Sequence, residues 1–516
     1  MSSFDLTTEP WIPVRWHDGS ADEVSLRTAL TEAHAIREVF ADSPLQTIAL
    51  YRLLQALTLR IFLEPDGDRI TADDVDRWYA LYDRGHFDPA PIHAYFDAWQ
   101  DEKERFDLLH PERPFYQHPE PMTSKETPVT KLFAAQASGN NPTLFDHAVD
   151  DGPHAVSLAE AARGLVATQA LALGGGHSKP FYYSDAPLVA GAVFWIRGRS
   201  LFEALLINTP PTDDARMAPG SLPSWERDEL PEPSARIEEG YLDYLTWPSR
   251  RVLLLTDTNE EGQHVVVAIK MSQGDKREAG GANDPLMAFK YSKKAGLYPL
   301  KLNKDRALWR DANIFMQVFS ETTGGAPRTV EWATSELDKA RWWVDVFGVV
   351  NDQAKIERWE HTRMPIYRTI VRDEARQHDL QRALERAEYQ ADILERATRE
   401  CAAYLLASGK GYDDLGSQGR SDARELAKAI GAVPRFWTQV EEPFFEWLER
   451  LAAPDADPDL ELARWTREIF QIARSAYQQA TDSLGDSARH HRARVAGQGR
   501  LRPSASYKDL LATEPV

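Results

Sequence analysis

The feature that most constrains the fold is a change of pattern near Met364, after which strand-like segments give way to helical spacing. Apolar residues then recur at steps of three and four, which places them on one face of a long amphipathic helix. This first stripe consists of Leu380, Leu384, Ala387, Ala391, Leu394, Cys401 and Leu405. A second stripe consists of Leu462, Trp465, Ile469, Ala473, Ala476 and Ala480. The Asp422/Glu425 pair predicts a helix start between the two stripes, and Pro434 a break in that helix.

Short connections between such helices predict an antiparallel four-helix bundle over residues 366–516. Residues 1–365 show a mixed pattern instead. "EPWIPVRW" reads as a strand, Pro44 as the first residue of a helix capped by Asp42 or Ser43, and "RRVLLLTDT" and "QHVVVAIKM" as further strands. The predicted fold class is therefore α+β, with a large irregular mixed N-terminal domain followed by the helical bundle.

Composition excludes several classes of protein. A chain of 516 residues exceeds the usual size of one hydrophobic core, which favours two domains. A net charge of −20 argues against a surface that coats nucleic acid throughout, although it permits a few local basic loops. The single cysteine, Cys401, excludes an internal disulfide and a cysteine-based zinc site. No apolar run suits a membrane span and the first residues do not read as a signal peptide, so we expect a cytoplasmic protein without a membrane partner.

No segment carries a recognisable catalytic motif. "LALGGGHSKP" holds Gly174, Gly175 and Gly176, but it lacks the Lys-Ser/Thr ending of a nucleotide-hydrolysing phosphate loop. The three glycines predict either a flexible turn or a backbone that approaches a ligand closely, with N–H groups free to face a phosphate. His490 and His491 stand among arginines that would repel a metal ion. The residues therefore indicate no enzyme, no cofactor and no metal site.

Three landmarks in the same order do resemble a known family. "EPWIPV", "LLHPERPFYQ" and "VVNDQAKIERWE", followed by the helical region, are similar to the CasA family, the large subunit of the type I-E CRISPR surveillance complex Cascade. The resemblance implies a non-catalytic subunit near the 5′ handle of the guide RNA, in contact with other Cascade subunits. Such a subunit recognises a protospacer-adjacent motif (PAM) in double-stranded target DNA. It promotes strand opening and R-loop formation before a separate nuclease-helicase is recruited.

The resemblance also implies roles for individual residues. Gln353 matches a glutamine wedge beside the first base pair next to the PAM, with Asp352 and Ala354 completing the turn. Gly174, Gly175 and Gly176 match a glycine loop that approaches the PAM minor groove. Lys270 matches a minor-groove lysine, with Lys276 in reserve. In the loop Ser138–Pro153, the residues that match a contact with the guide RNA are Phe145, Asp146 and His147, and the acidic Asp146 departs from the family pattern.

Each of these matches has an ordinary structural alternative: a polar β-turn, a flexible turn, or a solvated lysine. For the whole chain, the alternatives are a metal-dependent hydrolase or nuclease without a recognisable motif, and a purely structural scaffold subunit. The feature that separates recognition from scaffolding is whether the glycines, Lys270 and Gln353 converge on one exposed face.

Overall fold

The computed structural model describes residues 3–64, 70–100, 103–123, 125–133, 155–211, 220–352, 355–407 and 409–501, with the backbone alone at 352 and 355. The described residues form two compact units. Unit 1 comprises those within Met1–Ala307, Phe319–Asp338 and Trp342–Pro365. Unit 2 comprises those within Leu308–Val318, Lys339–Arg341 and Ile366–Val516. The α+β class predicted from the sequence is confirmed, because unit 1 contains both helices and several small sheets.

The strands are β1 (Ile12–Trp16), β2 (Ala21–Val24), β3 (Ile36–Val39), β4 (Glu126–Pro128), β5 (Val156–Ser157), β6 (Val193–Ile196), β7 (Ala235–Arg236), β8 (Arg250–Thr258), β9 (His264–Gln273), β10 (Lys276–Arg277), β11 (Phe289–Ser292), β12 (Gly296–Pro299), β13 (Gly324–Gly325), β14 (Arg341–Asp352) and β15 (Lys355–Tyr367). Two of these sheets contain or adjoin the residues that the sequence predicts as site residues. In the first, β9 pairs with β8 along one edge and with β4 and β5 along the other. In the second, β14 lies between β15 and β6.

The helices are α1 (Leu26–Thr31), α2 (Pro44–Thr58), α3 (Ala72–Arg84), α4 (Pro89–Gln100), α5 (Leu158–Leu171), α6 (Leu201–Ile207), α7 (Tyr241–Leu245), α8 (Ala312–Phe315), α9 (Arg328–Glu336), α10 (Arg368–Arg372), α11 (Glu374–Leu406), α12 (Ser417–Ile430), α13 (Ala432–Ala452), α14 (Pro458–Asp482) and α15 (Ala488–Arg500). None of the described helices combines the length and the apolar composition that crossing a membrane requires.

The start of helix α2 predicted from its capping residues is confirmed. Helix α2 begins at Pro44, and the Ser43 side chain caps it by accepting a hydrogen bond from the Gln46 N–H group. The segment "LLHPERPFYQ" is structural. Phe115 is buried against Phe106, and His110 Nδ1 accepts hydrogen bonds from the N–H groups of Glu112 and Arg113.

Both predicted stripes in unit 2 lie on buried helix faces, α11 for the first and α14 for the second, although Leu405 at the end of the first is only half-buried. The predicted start at Asp422 is wrong, because α12 begins at Ser417 and Asp422 lies inside it, accepting a hydrogen bond from Gln418 Nε2. The chain also breaks at Gly431 rather than at Pro434. Gly431 adopts the left-handed conformation with φ +73°, and Pro434 falls in the first turn of α13, where its missing N–H group does no harm.

Candidate nucleic-acid interface

The predicted site residues divide into those that the structure describes and those that it does not. Gln353, Ala354, Phe145, Asp146 and His147 lie outside the described residues. Asp352 is described by its backbone alone, as the last residue of β14, and β15 begins at Lys355. Strands β14 and β15 are sheet neighbours, so the two strands that lead to and from Gln353 are both in place.

The three predicted glycines begin a partly exposed segment, residues 174–183, which we call the glycine loop. Gly175 and Gly176 have φ angles of +100° and +80°, a conformation that residues with a Cβ atom rarely adopt. A Cβ atom on Gly174 would lie 2.9 Å from the backbone nitrogen of Asp185. The positive φ angles therefore require glycine at 175 and 176, and the lack of space requires it at 174. Gly175 and Gly176 are exposed, so at these two positions the loop presents backbone without a side chain to its surroundings.

Two of the three glycine N–H groups are already bonded within the protein. Gly174 donates to Asp185 Oδ1 at 2.7 Å, and Gly175 donates to the Tyr183 carbonyl at 2.7 Å. The possibility that all three N–H groups face a phosphate is therefore not met in this conformation. What the loop offers instead is exposed backbone at Gly175 and Gly176, where no side chain blocks the approach of another molecule.

Arg250, the first residue of β8, holds both ends of the glycine loop. Its Nη2 atom donates to the Leu173 carbonyl at 2.7 Å and to the Ser184 carbonyl at 3.0 Å. The side chain is almost fully buried and stacks 4.7 Å from the centre of the Tyr183 ring. Burial lowers the pKa of the Arg250 guanidinium to about 10. Among the described residues, no carboxylate forms an ion pair with Arg250, so backbone carbonyls, the Tyr183 ring and the charge of nearby Asp185 together compensate its buried charge.

Gln273, the last residue of β9, lies opposite Arg250 in the sheet and anchors the same loop. Its side chain accepts from the Ser184 N–H group and donates to Ser184 Oγ, both at 3.0 Å. Its backbone N–H group donates to Ser178 Oγ at 2.6 Å. The loop is thus tied to the ends of β8 and β9, and its position is coupled to this sheet.

The two candidate lysines have different surroundings. Lys270 lies within β9, half-buried, directly opposite Glu126 of β4 and Leu253 of β8. Its neighbour Met271 faces the glycine loop, since the Tyr183 hydroxyl donates to the Met271 carbonyl and both residues line one cavity. Successive strand residues point to opposite faces, so the Lys270 side chain points away from that cavity. Lys276 is exposed at the start of β10, three residues after Gln273.

A cavity of about 440 Å³ brings the glycine loop and the β14–β15 strands together. Gly174, Gly175 and Tyr183 line it on one side, and Ile356, two residues after Ala354, lines it on another. Arg250 also contributes to its wall. Two widely separated segments, around residues 174 and 356, therefore meet at one place in unit 1.

A buried carboxylate holds the strands that precede and follow Gln353 in the chain. Asp345 of β14 accepts hydrogen bonds from Arg197 Nη1 at 2.6 Å, Arg363 Nε at 2.8 Å and His361 Nε2 at 3.1 Å. Burial alone would raise the pKa of Asp345, but the hydrogen bonds from His361 and Arg363 and the charge of Arg197 outweigh it and lower the pKa to about 2. Asp345 is therefore ionised at any ordinary pH and ties β15 to β14 and to the segment after β6.

Two exposed rings in the glycine loop, Tyr182 and His177, are not among the site residues predicted from the sequence. Tyr182 is 67% exposed, and its ring centre lies 5.3 Å from that of His177, which is also exposed. Exposed aromatic rings beside basic residues are typical of surfaces that stack on nucleic-acid bases. The signal in the sequence was "HSKPFYY" directly after the glycines, where Lys179 stands between the two rings.

Comparisons with known proteins give the family. The sequence model of the family described as CRISPR-associated protein Cse1 matches residues 5–476. The CRISPR-associated protein CasA/Cse1 of Thermus thermophilus is 32% identical over 533 residues, which cover 97% of each chain. The crystal structure of CasA from Thermus thermophilus superposes with a TM-score of 0.79 at 26% identity over 99% of both chains. A chain in a structure of a CRISPR RNA-guided surveillance complex shares the fold, with a TM-score of 0.75 at 24% identity over 97% of this chain and 100% of that chain. The chain belongs to the CRISPR-associated protein Cse1 family, also named CasA/Cse1.

Proposed function

We propose that this protein is the non-catalytic large subunit of an RNA-guided type I-E CRISPR Cascade complex. In this role it recognises the PAM in double-stranded target DNA and promotes strand opening and R-loop formation. It also supports recruitment of a separate nuclease-helicase. Its other partners are the 5′ handle region of the guide RNA, through Phe145, Asp146 and His147, and the other Cascade subunits. Family membership and the shared fold with a chain of a surveillance complex support this role.

The observation that carries the proposal is the shared cavity of Gly174, Gly175 and Ile356. The glycines of the glycine loop and the start of β15, which follows Gln353 in the chain, adjoin there, so one DNA minor groove can meet both. Glycines allow the backbone to approach sugars and base edges, while a polar wedge occupies the space of an unstacked step. Unstacking costs a few kcal/mol, which contacts along the groove offset.

A lysine completes this arrangement. A lysine in the minor groove donates to purine N3 and pyrimidine O2 acceptors, which A·T and T·A pairs share, so a relaxed PAM preference is expected. Lys270 stays the residue that matches the family spacing. The exposure of Lys276, and its position three residues from the Gln273 anchor, favour Lys276 as the lysine that reaches DNA. Both are therefore included in the test.

We also propose that four helices of unit 2, α11, α13, α14 and α15, form an antiparallel four-helix bundle. Helices α11 and α14 are joined by the hydrogen bond from Trp465 Nε1 to the Ala383 carbonyl, and α13 and α14 by the bond from Trp447 Nε1 to the Glu461 carbonyl. The polar outer faces of these helices are available to neighbouring subunits.

The test is target-DNA binding by the reconstituted guide-RNA complex, with and without this subunit, on duplexes that differ only in the PAM. We expect binding to depend on the PAM only when the subunit is present. We expect Gln353→Ala to weaken PAM-dependent binding by tenfold or more without unfolding the protein. We expect the same of an alanine substitution at whichever of Lys270 and Lys276 reaches the DNA. Lys270→Ala and Lys276→Ala are measured separately, with Lys410→Ala as a control on an exposed lysine of unit 2.

Other outcomes would favour the alternative functions. Equal binding with and without the subunit would contradict PAM recognition and leave a scaffold role. Metal-dependent cleavage of DNA by the subunit alone, retained in the Gln353→Ala and Lys270→Ala variants, would indicate a nuclease.

A further inference from the structure

A cluster of arginines surrounds a small cavity in unit 1, which we call the arginine cavity. Its volume is about 100 Å³, and the arginines that line it are Arg105, Arg113, Arg227, Arg236, Arg250 and Arg251. Of the described residues, two acidic ones also line it. Asp275 is paired with Arg236, and Glu229 is exposed at the rim. The wall of the cavity therefore carries a surplus of positive charge.

Two of the six arginines are compensated within the protein. Arg227 and Arg236 both form ion pairs with Asp243, whose side chain is buried. Buried charges are tolerated when they are paired in this way. The uncompensated charge comes from the other four arginines.

Arg105 and Arg251 are buried, but their carboxylate partners lie in solvent. The two arginines are 8% and 6% exposed, whereas the side chains of Asp228 and Glu232 are 75% and 80% exposed. Ion pairs with such exposed partners contribute little, and Asp228 is shared with Lys103. The Nε atom of Arg105 is also buried without a hydrogen-bond partner among the described residues. A buried donor of this kind indicates a missing acceptor.

Arg113 forms no ion pair with a carboxylate of the described residues. Its two Nη atoms donate to backbone carbonyls, at 2.7 Å to that of Asp228 and to that of the preceding residue. Burial and the charge of Arg105 lower the pKa of the Arg113 guanidinium, despite the opposing charge of Asp228. Burial likewise lowers the pKa values of Arg250 and Arg251. Positive charge that the protein does not balance is thus concentrated at this cavity.

The rest of the wall is aromatic and includes a strained residue. Phe115, Tyr116 and Trp225 line the cavity, and the ring centres of Phe115 and Trp225 are 5.8 Å apart. Tyr116 has a φ of +57°, and its carbonyl accepts a hydrogen bond from Gln169 Nε2 at 3.1 Å. Bulky residues rarely adopt this conformation, and residues that do so cluster at functional sites. An aromatic wall with a few charged groups is typical of a small-molecule site.

From this arrangement we propose that the arginine cavity binds a phosphate group, either as inorganic phosphate or as the phosphate of a small organic monoester. Guanidinium groups form strong, charge-assisted hydrogen bonds with phosphate oxygens. Arg105, Arg113 and Arg251 belong to separate segments, and a tetrahedral oxyanion can accept hydrogen bonds from several directions. The cavity volume is too small for a stretch of nucleic acid. The inference is therefore independent of the proposed DNA recognition.

The test is calorimetric titration of the full chain with inorganic phosphate, and separately with glycerol phosphate, at an ionic strength held constant with sodium chloride. Two variants change the charge of the cavity in opposite directions. Arg113→Met removes a guanidinium, and Glu229→Gln removes the rim carboxylate that would repel phosphate. The matched controls are Arg435→Met and Glu260→Gln, at exposed positions outside the cavity.

We expect saturable binding at one site. Arg113→Met should weaken it about tenfold, because the variant loses a charge-assisted contact. Glu229→Gln should tighten it about twofold, because it removes a repulsion that solvent partly screens. Both controls should bind like the parent. Glu229 is exposed, so its substitution tests the charge of the cavity without endangering the fold.

Two results would overturn the inference. The first is the absence of phosphate binding by the parent. The second is equal affinity in all five proteins, which would place the phosphate elsewhere. If Arg113→Met unfolds the chain, Glu229→Gln decides, and an affinity equal to that of the parent overturns the inference.

The two ligands distinguish the sources of the phosphate group. Glycerol phosphate that binds at least as tightly as inorganic phosphate, with the same response to the variants, supports the site and identifies an organic monoester as its ligand. Binding of inorganic phosphate alone, with that response, supports the site and identifies the free anion.

Discussion

At the residue scale, Arg250 is the side chain whose loss should most clearly separate the position of the glycine loop from the stability of the fold. Arg250→Met keeps an apolar stem but removes the donors to the Leu173 and Ser184 carbonyls. Each buried acceptor left unpaired costs about 1–3 kcal/mol, so hydrogen exchange in residues 174–183 should rise. In the assembled complex, the ratio between PAM and mismatched-PAM binding should fall.

Arg251→Met is the matched control, because Arg251 is also buried but contacts the segment around Pro231 and Glu232. Equal exchange in the loop for both variants would contradict a positioning role for Arg250.

Single residues are also where the sequence predicts least. Arg250 is the first residue of "RRVLLLTDT". This pattern correctly predicts strand β8, but it does not show to which carbonyl groups the Arg250 side chain donates. By family spacing Lys270 is the predicted minor-groove lysine and Lys276 the reserve. Only the pairing of β9 shows that Lys270 lies opposite Glu126 while Lys276 is exposed. The necessity of glycine at 174–176 was predictable in kind, but the contact of Gly174 with Asp185 joins positions whose proximity no local pattern encodes.

At the scale of elements, helix α15 is docked through Gly497, which leaves no room for a side chain. A Cβ atom there would overlap the Tyr477 hydroxyl oxygen and lie 2.6 Å from the Ala397 carbonyl oxygen. Gly497→Ala should therefore lower the free energy of unfolding by about 1–3 kcal/mol through overpacking, and increase hydrogen exchange over Ala488–Arg500. Gly499→Ala is the control in the same helix, since no atom lies within 4 Å of its Cβ position. Because alanine favours helix by about 1 kcal/mol over glycine, that variant should be neutral or slightly more stable. Equal stability of the two variants would show that α15 does not pack on α11 and α14 as described.

Helices whose apolar pattern extends over many turns were predictable from the sequence, whereas the residues at which helices begin and end were not. The stripes of α11 and α14 extend over many turns, so tertiary packing reinforces the pattern. The start of α12 depends on a few residues around Gly416, where the Asp422/Glu425 pair gave a competing signal. Residues 308–318 belong to unit 2 although they precede the change of pattern, because contacts and not chain order decide which unit a short segment joins.

At the scale of the whole molecule, the acid stability of unit 1 should depend on Asp345, which joins segments far apart in the chain. Arg197 contacts both Asp345 and Glu38, so one network connects β3, the end of β6, β14 and β15. The folded pKa of about 2 is below the ordinary value of 3.8, so Asp345 stabilises the fold above about pH 4, and this contribution is lost as the pH falls toward 2. The shift corresponds to about 2 kcal/mol. Asp345→Asn should therefore lower the free energy of unfolding at pH 7 by at least that amount, and the difference from the parent should shrink between pH 4 and pH 2. Denaturant unfolding across this range measures it, with the exposed Asp455→Asn as the control. A difference that stays constant from pH 7 to pH 2 would mean that the Asp345 charge does not hold these strands together, and that packing alone positions the ends of β14 and β15 on either side of Gln353.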